Sequence, residues 1–185
     1  MKNIPTAVVA ASSSEAVAQK IQDAFSNETN FRTYTTNDVT GVEIGGALKN
    51  VFAIAAGIID GLKYGDNTKA ALMTRGIVEM SRLGQALGGE ADTFSGLSGI
   101  GDLIVTCTSQ HSRNRFVGEK LGAGHSLEEI TAMMNHSVAE GVKTTESAYE
   151  LARKLGVETP IVNEVYAVIY EGKSAVMALN DLMNR

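Results

Sequence analysis

The sequence has little of what stabilises small secreted proteins or anchors membrane proteins. It contains one cysteine, Cys107, among 185 residues, together with no tryptophan and only two prolines. A single cysteine cannot close an intrachain disulfide, which excludes a disulfide-stapled scaffold and fits a reducing compartment. The apolar run from Thr6 to Ala11 is shorter than a signal-peptide core, and no run approaches the roughly 20 residues of a membrane span. We therefore expect a cytoplasmic protein without membrane insertion.

Positive charge is also scarce. The chain has 16 Lys and Arg residues against 21 Asp and Glu residues, a formal net charge of -5. A net acidic surface does not attract nucleic acid or anionic membranes, so we expect no nucleic-acid partner. With 44% hydrophobic residues, the chain is long enough to bury a core.

Glycine is absent from the first forty residues, and all 19 glycines lie at Gly41 or later. This shift predicts two segments, residues 1–40 and residues 41–185. The first segment predicts a strand from Pro5 to Ala10, an amphipathic helix from Glu15 to Phe25 capped by the serines before it, and a strand from Phe31 to Thr35. A strand-helix-strand unit of this size buries too little to stand alone, so we expect either a piece of a larger sheet or a unit that packs on the segment after it, with an open sheet edge.

From Val42 onward the apolar residues recur at helical spacing, which predicts a mainly α segment. Ser126 to Glu129 has the spacing of a capping box, Thr159-Pro160 indicates a helix start, and Gly156 and Gly172 indicate helix ends. The first two helices are expected to pack antiparallel. The expected helices are 42–62, 68–87, 102–121, 140–155 and 174–184.

Lys49 lies in a stretch from Ile44 to Leu62 whose only charges are Lys49 and Asp60. A lysine on a helix is usually a solvated cation. Here Gly45 and Gly46 leave room for a ligand, and a partly desolvated lysine can exchange a proton near neutral pH. Both interpretations stay open on the residues alone, and the neighbouring Asn50 could hold a substrate oxygen or bond within the core.

A glycine-rich segment, residues 96–101, leads into Asp102. On a continuous helix, Asp102, Thr106, Ser109 and Arg113 would share an arc of about 60°. The plain alternative is a capping aspartate followed by a solvated stripe.

Residues 112–115, Ser-Arg-Asn-Arg, follow on the same expected helix. They combine two guanidinium groups with two neutral hydrogen-bonding side chains, which suits a phosphate. This run predicts a small-molecule phosphate ester as the substrate.

Several motifs are missing. The dinucleotide fingerprint Gly-x-Gly-x-x-Gly occurs nowhere in the chain, which excludes cofactor binding by the usual glycine loop. His111, His125 and His136 lack ligand spacing, so we expect no metal site. Cys107 and His111 lie one helical turn apart, which occurs by chance more often than as a nucleophile and its base.

Four segments together resemble the bacterial-type NAD(P)-dependent glycerol-3-phosphate dehydrogenases: residues 42–50 (VEIGGALKN), 99–103 (GIGDL), 112–114 (SRN) and 138–142 (VAEGV). The resemblance implies a helical dehydrogenase C-terminal domain, similar to that of 6-phosphogluconate dehydrogenase, preceded by a small βαβ remnant of a nucleotide-binding domain. It implies interconversion of dihydroxyacetone phosphate and sn-glycerol 3-phosphate by hydride transfer with NAD or NADP, in glycerophospholipid synthesis.

The same resemblance implies roles for individual residues. Lys49 matches the catalytic lysine that exchanges a proton at the substrate carbonyl oxygen. The remaining matches are catalytic positions at Asn50, Asp102 and Thr106, substrate contacts at Lys49, Asp102, Ser112, Arg113 and Asn114, and cofactor contacts at Arg113, Val138 and Glu140.

The front of the chain departs from the family pattern, because the glycine fingerprint and a later phosphate-binding lysine are missing. We therefore expect little activity from this chain by itself. Two alternatives stay open: an inactive helical dimerisation or binding module derived from such an enzyme, and a different dehydrogenase with a similar helical domain. A homodimer, or association through the open sheet edge, is the expected assembly.

Overall fold

The computed structural model describes residues 4–26, 30–135 and 139–184. The N-terminal unit contains β1 (Thr6–Ala11), α1 (Glu15–Phe25) and β2 (Phe31–Thr36). The two strands pair in parallel, from Thr6 opposite Phe31 to Ala11 opposite Thr36. The predicted strand-helix-strand unit is therefore confirmed. Its helix cap is not as expected: Ser14 is the N-cap residue of α1 but makes no side-chain capping bond.

The rest of the described chain is helical, which confirms the mainly α class. A π-helical turn, Leu97–Gly101, precedes α5. The helices are α2 (Val39–Gly61), α3 (Gly65–Ala86), α4 (Ala91–Ser95), α5 (Asp102–Thr108), α6 (Arg113–Gly122), α7 (Leu127–Met133), α8 (Glu140–Leu155), α9 (Pro160–Tyr170) and α10 (Ala175–Met183).

Helix α2 forms the centre of the core, with α3, α5, α6, α8 and α9 packed around it. Side chains 51–54 and 56 are completely buried, because a helix that is apolar on all sides must be covered on all sides. Its length and its mean hydropathy of 1.6 over an 18-residue window would suit a membrane span, but 61% of that window is buried inside the protein. The expectation that no apolar run reaches this length is wrong, and burial identifies α2 as a core helix.

Asp38 fixes the start of α2. Its Oδ1 accepts from Gly41 N–H at 2.8 Å, and its Oδ2 accepts from Glu90 N–H at 2.9 Å and from Thr93 Oγ1 at 2.5 Å. Burial raises the pKa of Asp38, but these hydrogen bonds outweigh it and hold the pKa below its ordinary value of 3.8. One carboxylate therefore ties the end of the N-terminal unit to α2 and α4.

Glycines let α2 and α6 cross with their backbones in contact. A Cβ on Gly57 would lie 2.0 Å from the carbonyl oxygen of Arg115, and one on Gly118 would lie 1.9 Å from that of Ile54. No side chain fits at either position. This close crossing places the start of α6 beside the middle of α2.

Two of the expected helix boundaries are wrong. Helix α2 begins at Val39, three residues before the expected Val42, because Asp38 provides a cap that periodicity does not reveal. The expected helix 102–121 is two helices, α5 and α6, because Ser112 Oγ accepts from Arg115 N–H and starts a new helix. The division into domains at residue 40 stays a prediction.

Other expectations are confirmed. Helices α2 and α3 run antiparallel, since Gly45 approaches Met80 while Phe52 approaches Gly76. Ser126 and Glu129 form the capping box at the start of α7. Pro160 is the first residue of α9.

Candidate active site

Lys49 and Asp102, 53 residues apart in sequence, form an ion pair. Lys49 is on α2 and Asp102 is the first residue of α5, and Lys49 Nζ donates to Asp102 Oδ2. Their side chains are 24% and 32% exposed, so the pair is reached by solvent without being on the open surface. Of the two interpretations of Lys49, the structure therefore favours a partly desolvated, paired lysine.

Thr106 holds the other side of Asp102. Its Oγ1 donates to the carbonyl oxygen of Asp102 at 2.6 Å and lies 3.4 Å from Oδ1. The first turn of α5 is thereby stiffened under the carboxylate that Lys49 contacts. Lys49, Asp102 and Thr106, three of the predicted site residues, are thus brought together.

A cleft of about 440 Å³ opens beside this ion pair, between β1, α2 and α5. At Gly46 the wall of the cleft is open, because no atom lies within 4 Å of a Cβ built there. At Gly45 the backbone is closely packed instead, since a Cβ there would lie 2.6 Å from the carbonyl oxygen of Ser98. Among the described residues that line the cleft, Asp102 is the one that carries a charge. The lining residues are Ala7, Val8, Val9, Val42, Gly46, Leu97, Ser98, Gly101, Asp102 and Val105.

Asn50 and Asn114 form a second, buried pair. Asn114 Nδ2 donates to Asn50 Oδ1 at 2.8 Å, and Gly141 N–H donates to Asn114 Oδ1 at 2.8 Å. Each asparagine is 8% exposed. The pair joins α2, α6 and the first turn of α8, and Asn50 is adjacent in sequence to Lys49.

The run from Ser112 to Arg115 does not act as one phosphate-facing stripe. Ser112 caps α6, Asn114 turns inward, and Arg115 donates from Nε and Nη2 to Asp60 Oδ2 at 2.7 and 2.6 Å. Lys69 Nζ contacts the other oxygen of Asp60 at 2.5 Å. Arg113 is the exposed guanidinium of the run, on the first turn of α6. The break before α6 also removes the shared helix face that was predicted for Ser109 and Arg113 with Asp102.

One predicted cofactor contact, Glu140, lies at the start of α8. Glu140 is exposed, as the first residue of that helix. Val138 lies outside the described residues. Since Glu140 precedes Gly141, it lies next to the buried Asn50–Asn114 pair.

Cys107 does not have the character of a nucleophile. It is completely buried, and burial raises the pKa of its thiol to about 12. Within residues 4–26, 30–135 and 139–184, no three His, Cys, Asp or Glu side chains are grouped to hold a metal ion.

Sequence reasoning missed Asp38 and the role of Gly141. Asp38 stands where a helix cap is expected, before the run of α2, so the capping preference of aspartate could have found it. For Gly141 no local signal exists, because its bond to Asn114 spans 27 residues. Only the packing of α8 against α2 and α6 reveals it.

Comparison with known proteins agrees with this geometry. Residues 38–180 match the family described as NAD-dependent glycerol-3-phosphate dehydrogenase C-terminus. The glycerol-3-phosphate dehydrogenase [NAD(P)+] of Citrifermentans bemidjiense is 59% identical over 182 residues, covering 98% of this chain and 54% of that protein. The chain spans about half the length of the curated relatives it matches.

Solved structures show the same fold. The crystal structure of glycerol-3-phosphate dehydrogenase from Coxiella burnetii aligns with a TM-score of 0.93 at 39% identity, covering 99% of this chain and 56% of that one. The enzyme from Saccharomyces cerevisiae aligns with a TM-score of 0.86 at 26% identity, covering 97% and 54%. The chain belongs to the NAD-dependent glycerol-3-phosphate dehydrogenase C-terminus family.

Proposed function

We propose that this chain is the substrate-handling part of an enzyme that interconverts dihydroxyacetone phosphate and sn-glycerol 3-phosphate with NAD(P)H, supplying glycerophospholipid synthesis. The observation that carries the proposal is the Lys49–Asp102 ion pair beside a glycine-walled cleft. A ketone that gains a hydride develops negative charge on its oxygen. A preorganised ammonium beside that oxygen is what such a reaction requires.

In this proposal Lys49 donates a proton to the carbonyl oxygen of the substrate as the alcohol forms, and takes it back in the reverse direction. Asp102 orients the ammonium and balances its charge, so that Nζ stays beside the cleft instead of turning to solvent. Thr106 fixes the backbone of Asp102. Asn50 adds a neutral hydrogen-bonding group next to Lys49.

The phosphate end of the substrate is assigned to Arg113. This guanidinium is exposed at the first turn of α6, and the N-terminus of a helix favours an anion. Ser112 and Asn114 hold the helix that carries Arg113 in place. Ser112 caps α6, and Asn114 binds residues of α2 and α8.

The cleft fits one part of a nicotinamide cofactor. Its walls are mostly apolar, and Gly46 and Gly101 leave space for a flat ring beside Lys49. When bound, NAD(P)H supplies the hydride. Arg113, Val138 and Glu140 are the proposed contacts from this chain. Because the chain has no glycine fingerprint, the proposal assigns most of the cofactor contacts to residues outside these 185.

Calorimetric titration of dihydroxyacetone phosphate into the chain tests the proposal, with inorganic phosphate as competitor. We expect saturable heat that is lost in Arg113→Ala and Lys49→Ala and kept in Lys154→Ala, an exposed lysine at the far end of α8. Unchanged heat in both site variants would contradict the site. Equal competition by a hydroxy acid without phosphate would favour a different dehydrogenase.

A second assay tests the activity of the chain by itself. We expect no appreciable NADH oxidation with dihydroxyacetone phosphate, because proximity to an oriented cofactor supplies much of the rate in such enzymes. Measurable turnover by the pure chain would contradict this expectation.

A further inference from the structure

A backbone group sets the orientation of the two buried amides, Asn50 and Asn114. Each amide has a donor end and an acceptor end of similar shape, so an isolated pair could adopt either of two opposite orientations. Asn114 Oδ1, however, lies 2.8 Å from the backbone nitrogen of Gly141. A backbone N–H can only donate. Asn114 must therefore turn its oxygen toward α8 and its NH2 group toward Asn50.

The orientation of the Asn114 amide in turn determines the orientation of the Asn50 amide. Since Asn114 offers a donor at 2.8 Å, Asn50 must present its oxygen to it. The NH2 group of Asn50 is then directed to its other side, where Nδ2 lies 3.4 Å from the carbonyl oxygen of Gly46. A hydrogen bond of that length is weak. Gly46 also lines the cleft, so a donor with spare capacity lies against a residue of the cleft wall, one residue from Lys49.

The backbone of Gly141 is packed closely enough to determine the orientation of both amides. A Cβ there would lie 2.7 Å from Asn114 Oδ1 and 2.7 Å from the carbonyl oxygen of Asn50, so the helix approaches both asparagines as closely as glycine allows. The N-cap residue, Ala139, has no side-chain acceptor to offer the first turn of α8. Asn114 supplies that cap from another helix, which makes the bond costly to break.

Neighbouring bonds keep the first turn of α8 in place. Thr145 Oγ1 donates to the carbonyl oxygen of Gly141 at 2.6 Å, and the Tyr170 hydroxyl donates to that of Val142 at 2.9 Å. Thr145 is completely buried. The N–H of Gly141 therefore points in a fixed direction toward the amide of Asn114.

The geometry points to Gly141 as a positioning residue, whose N–H orients Asn114 and, through it, Asn50, so that a donor instead of an acceptor adjoins Lys49. The ligand that this donor suits is one that turns an acceptor oxygen toward it, such as the carbonyl oxygen of a phosphorylated ketone. The ligand rests on the proposed function. The amide orientation does not, because it follows from the hydrogen bonds alone.

Asn114→Asp tests the orientation without any ligand. At pH 8 a carboxylate only accepts, so one oxygen keeps the bond to Gly141 and the other now faces Asn50. Asn50 must then reverse and direct its NH2 group inward. We expect the side-chain amide signals of Asn50 in a ¹⁵N-labelled chain to move downfield and to exchange with solvent at least tenfold more slowly. Unchanged signals and exchange would overturn the proposal.

Titration of dihydroxyacetone phosphate tests the consequence for the ligand. In Asn114→Asp the reversed Asn50 presents an acceptor to the substrate oxygens, and we expect at least a tenfold loss of affinity. Gly141→Ala should act in the same direction, because it displaces the donor that sets the order. Unchanged affinity in Asn114→Asp would overturn the role of the donor.

Gly122→Ala is the matched control. It introduces the same kind of clash, a Cβ 2.4 Å from the carbonyl oxygen of Ile58 on α2, but eight residues along the helix from Asn50. We expect it to lower stability while leaving the Asn50 signals and the affinity within twofold of the native chain. Equal losses in Gly122→Ala and Gly141→Ala would mean a general effect of destabilisation and would count against the proposal.

The two readouts fail separately. If the native chain binds no dihydroxyacetone phosphate while the Asn50 signals change as expected in Asn114→Asp, the proposed function fails and the orientation by Gly141 is supported. If the native chain binds and the signals do not change, the orientation fails and the proposed function stands.

Discussion

Glu79, on α3, accepts the backbone N–H of Ile161, in the first turn of α9, at 2.8 and 3.0 Å from its two carboxyl oxygens. Val162 N–H adds a third contact at 3.3 Å. Glu79 is 3% exposed. A glutamate buried between two helices thus takes the capping role at α9, where Thr159 was expected and makes no capping bond.

The first prediction concerns this carboxyl group and pH. Burial raises the pKa of Glu79 to about 7 from an ordinary value of 4.5, against the lowering effect of the Ile161 and Val162 N–H groups and of Arg75 and Arg82. The folded state therefore holds a proton that the unfolded state releases at lower pH. This contribution to stability is complete below pH 4.5 and is lost as the pH rises to about 7.

Urea unfolding of the native chain and of Glu79→Gln at several pH values measures this effect. The variant cannot ionise at this position, so other groups cancel in the comparison. We expect the native chain to lose about 3 kcal/mol relative to the variant between pH 4.5 and 7.5. A difference that stays constant with pH would show that the carboxyl group titrates normally.

The second prediction separates binding from stability at Lys49. Lys49→Met keeps the length of the side chain and removes its charge, so dihydroxyacetone phosphate should bind at least about tenfold more weakly, since a charged hydrogen bond is lost. The free energy of unfolding should change by less than about 1 kcal/mol, because the pair is partly exposed. Lys154→Met should change neither quantity. A large loss of stability with unchanged binding would make Lys49 a structural residue.

The third prediction concerns the cap of α2. Asp38→Ala removes the acceptor of three hydrogen bonds at a buried position, so chemical unfolding should show a loss of about 2–4 kcal/mol. Asp92→Ala, at an exposed carboxylate on α4, serves as the control and should stay within about 0.5 kcal/mol of the native chain. Similar values for the two variants would mean that the three bonds add nothing to stability.

The fourth prediction concerns association. Among the described residues each strand pairs with one neighbour, and Tyr34 on β2 and Phe25 on α1 are 51% and 60% exposed. Unpaired strand edges beside apolar surface favour assembly. Light scattering should show oligomers at high concentration that Tyr34→Lys dissociates and that Met183→Lys, on α10, leaves intact. A native chain that stays monomeric, or an equal effect of both lysines, would contradict association through the sheet.

Helical periodicity predicted most of the fold, because α3, α8 and α9 each bury a face whose apolar residues recur in sequence, and the second half of α2 is a long apolar run. Helical periodicity did not predict the break between α5 and α6. No glycine or proline occurs in residues 109–112, and the cap at Ser112 is a single hydroxyl. A capping side chain changes the path of the chain without changing the hydrophobic pattern.

The candidate site was predicted residue by residue but not as a geometry. The character of Lys49 was visible in the small residues around it, whereas its pairing with Asp102 depends on how α5 packs against α2. The inward turn of Asn114 and Arg115 was hidden for the same reason. Both look like phosphate ligands in sequence, and both bind partners on another helix, the buried Asn50 and the partly buried Asp60.

Under the proposed function, the position of Lys49 and Asn50 on α2 constrains how the substrate can change. Both side chains extend from a helix whose crossing with α6 admits no added carbon at Gly57 or Gly118. The proposed contacts to the reacting end of the substrate therefore belong to a part of the molecule that tolerates little substitution. We expect new specificities to arise around Arg113 and Glu140, which are exposed, because a side chain can be exchanged there without repacking the interior.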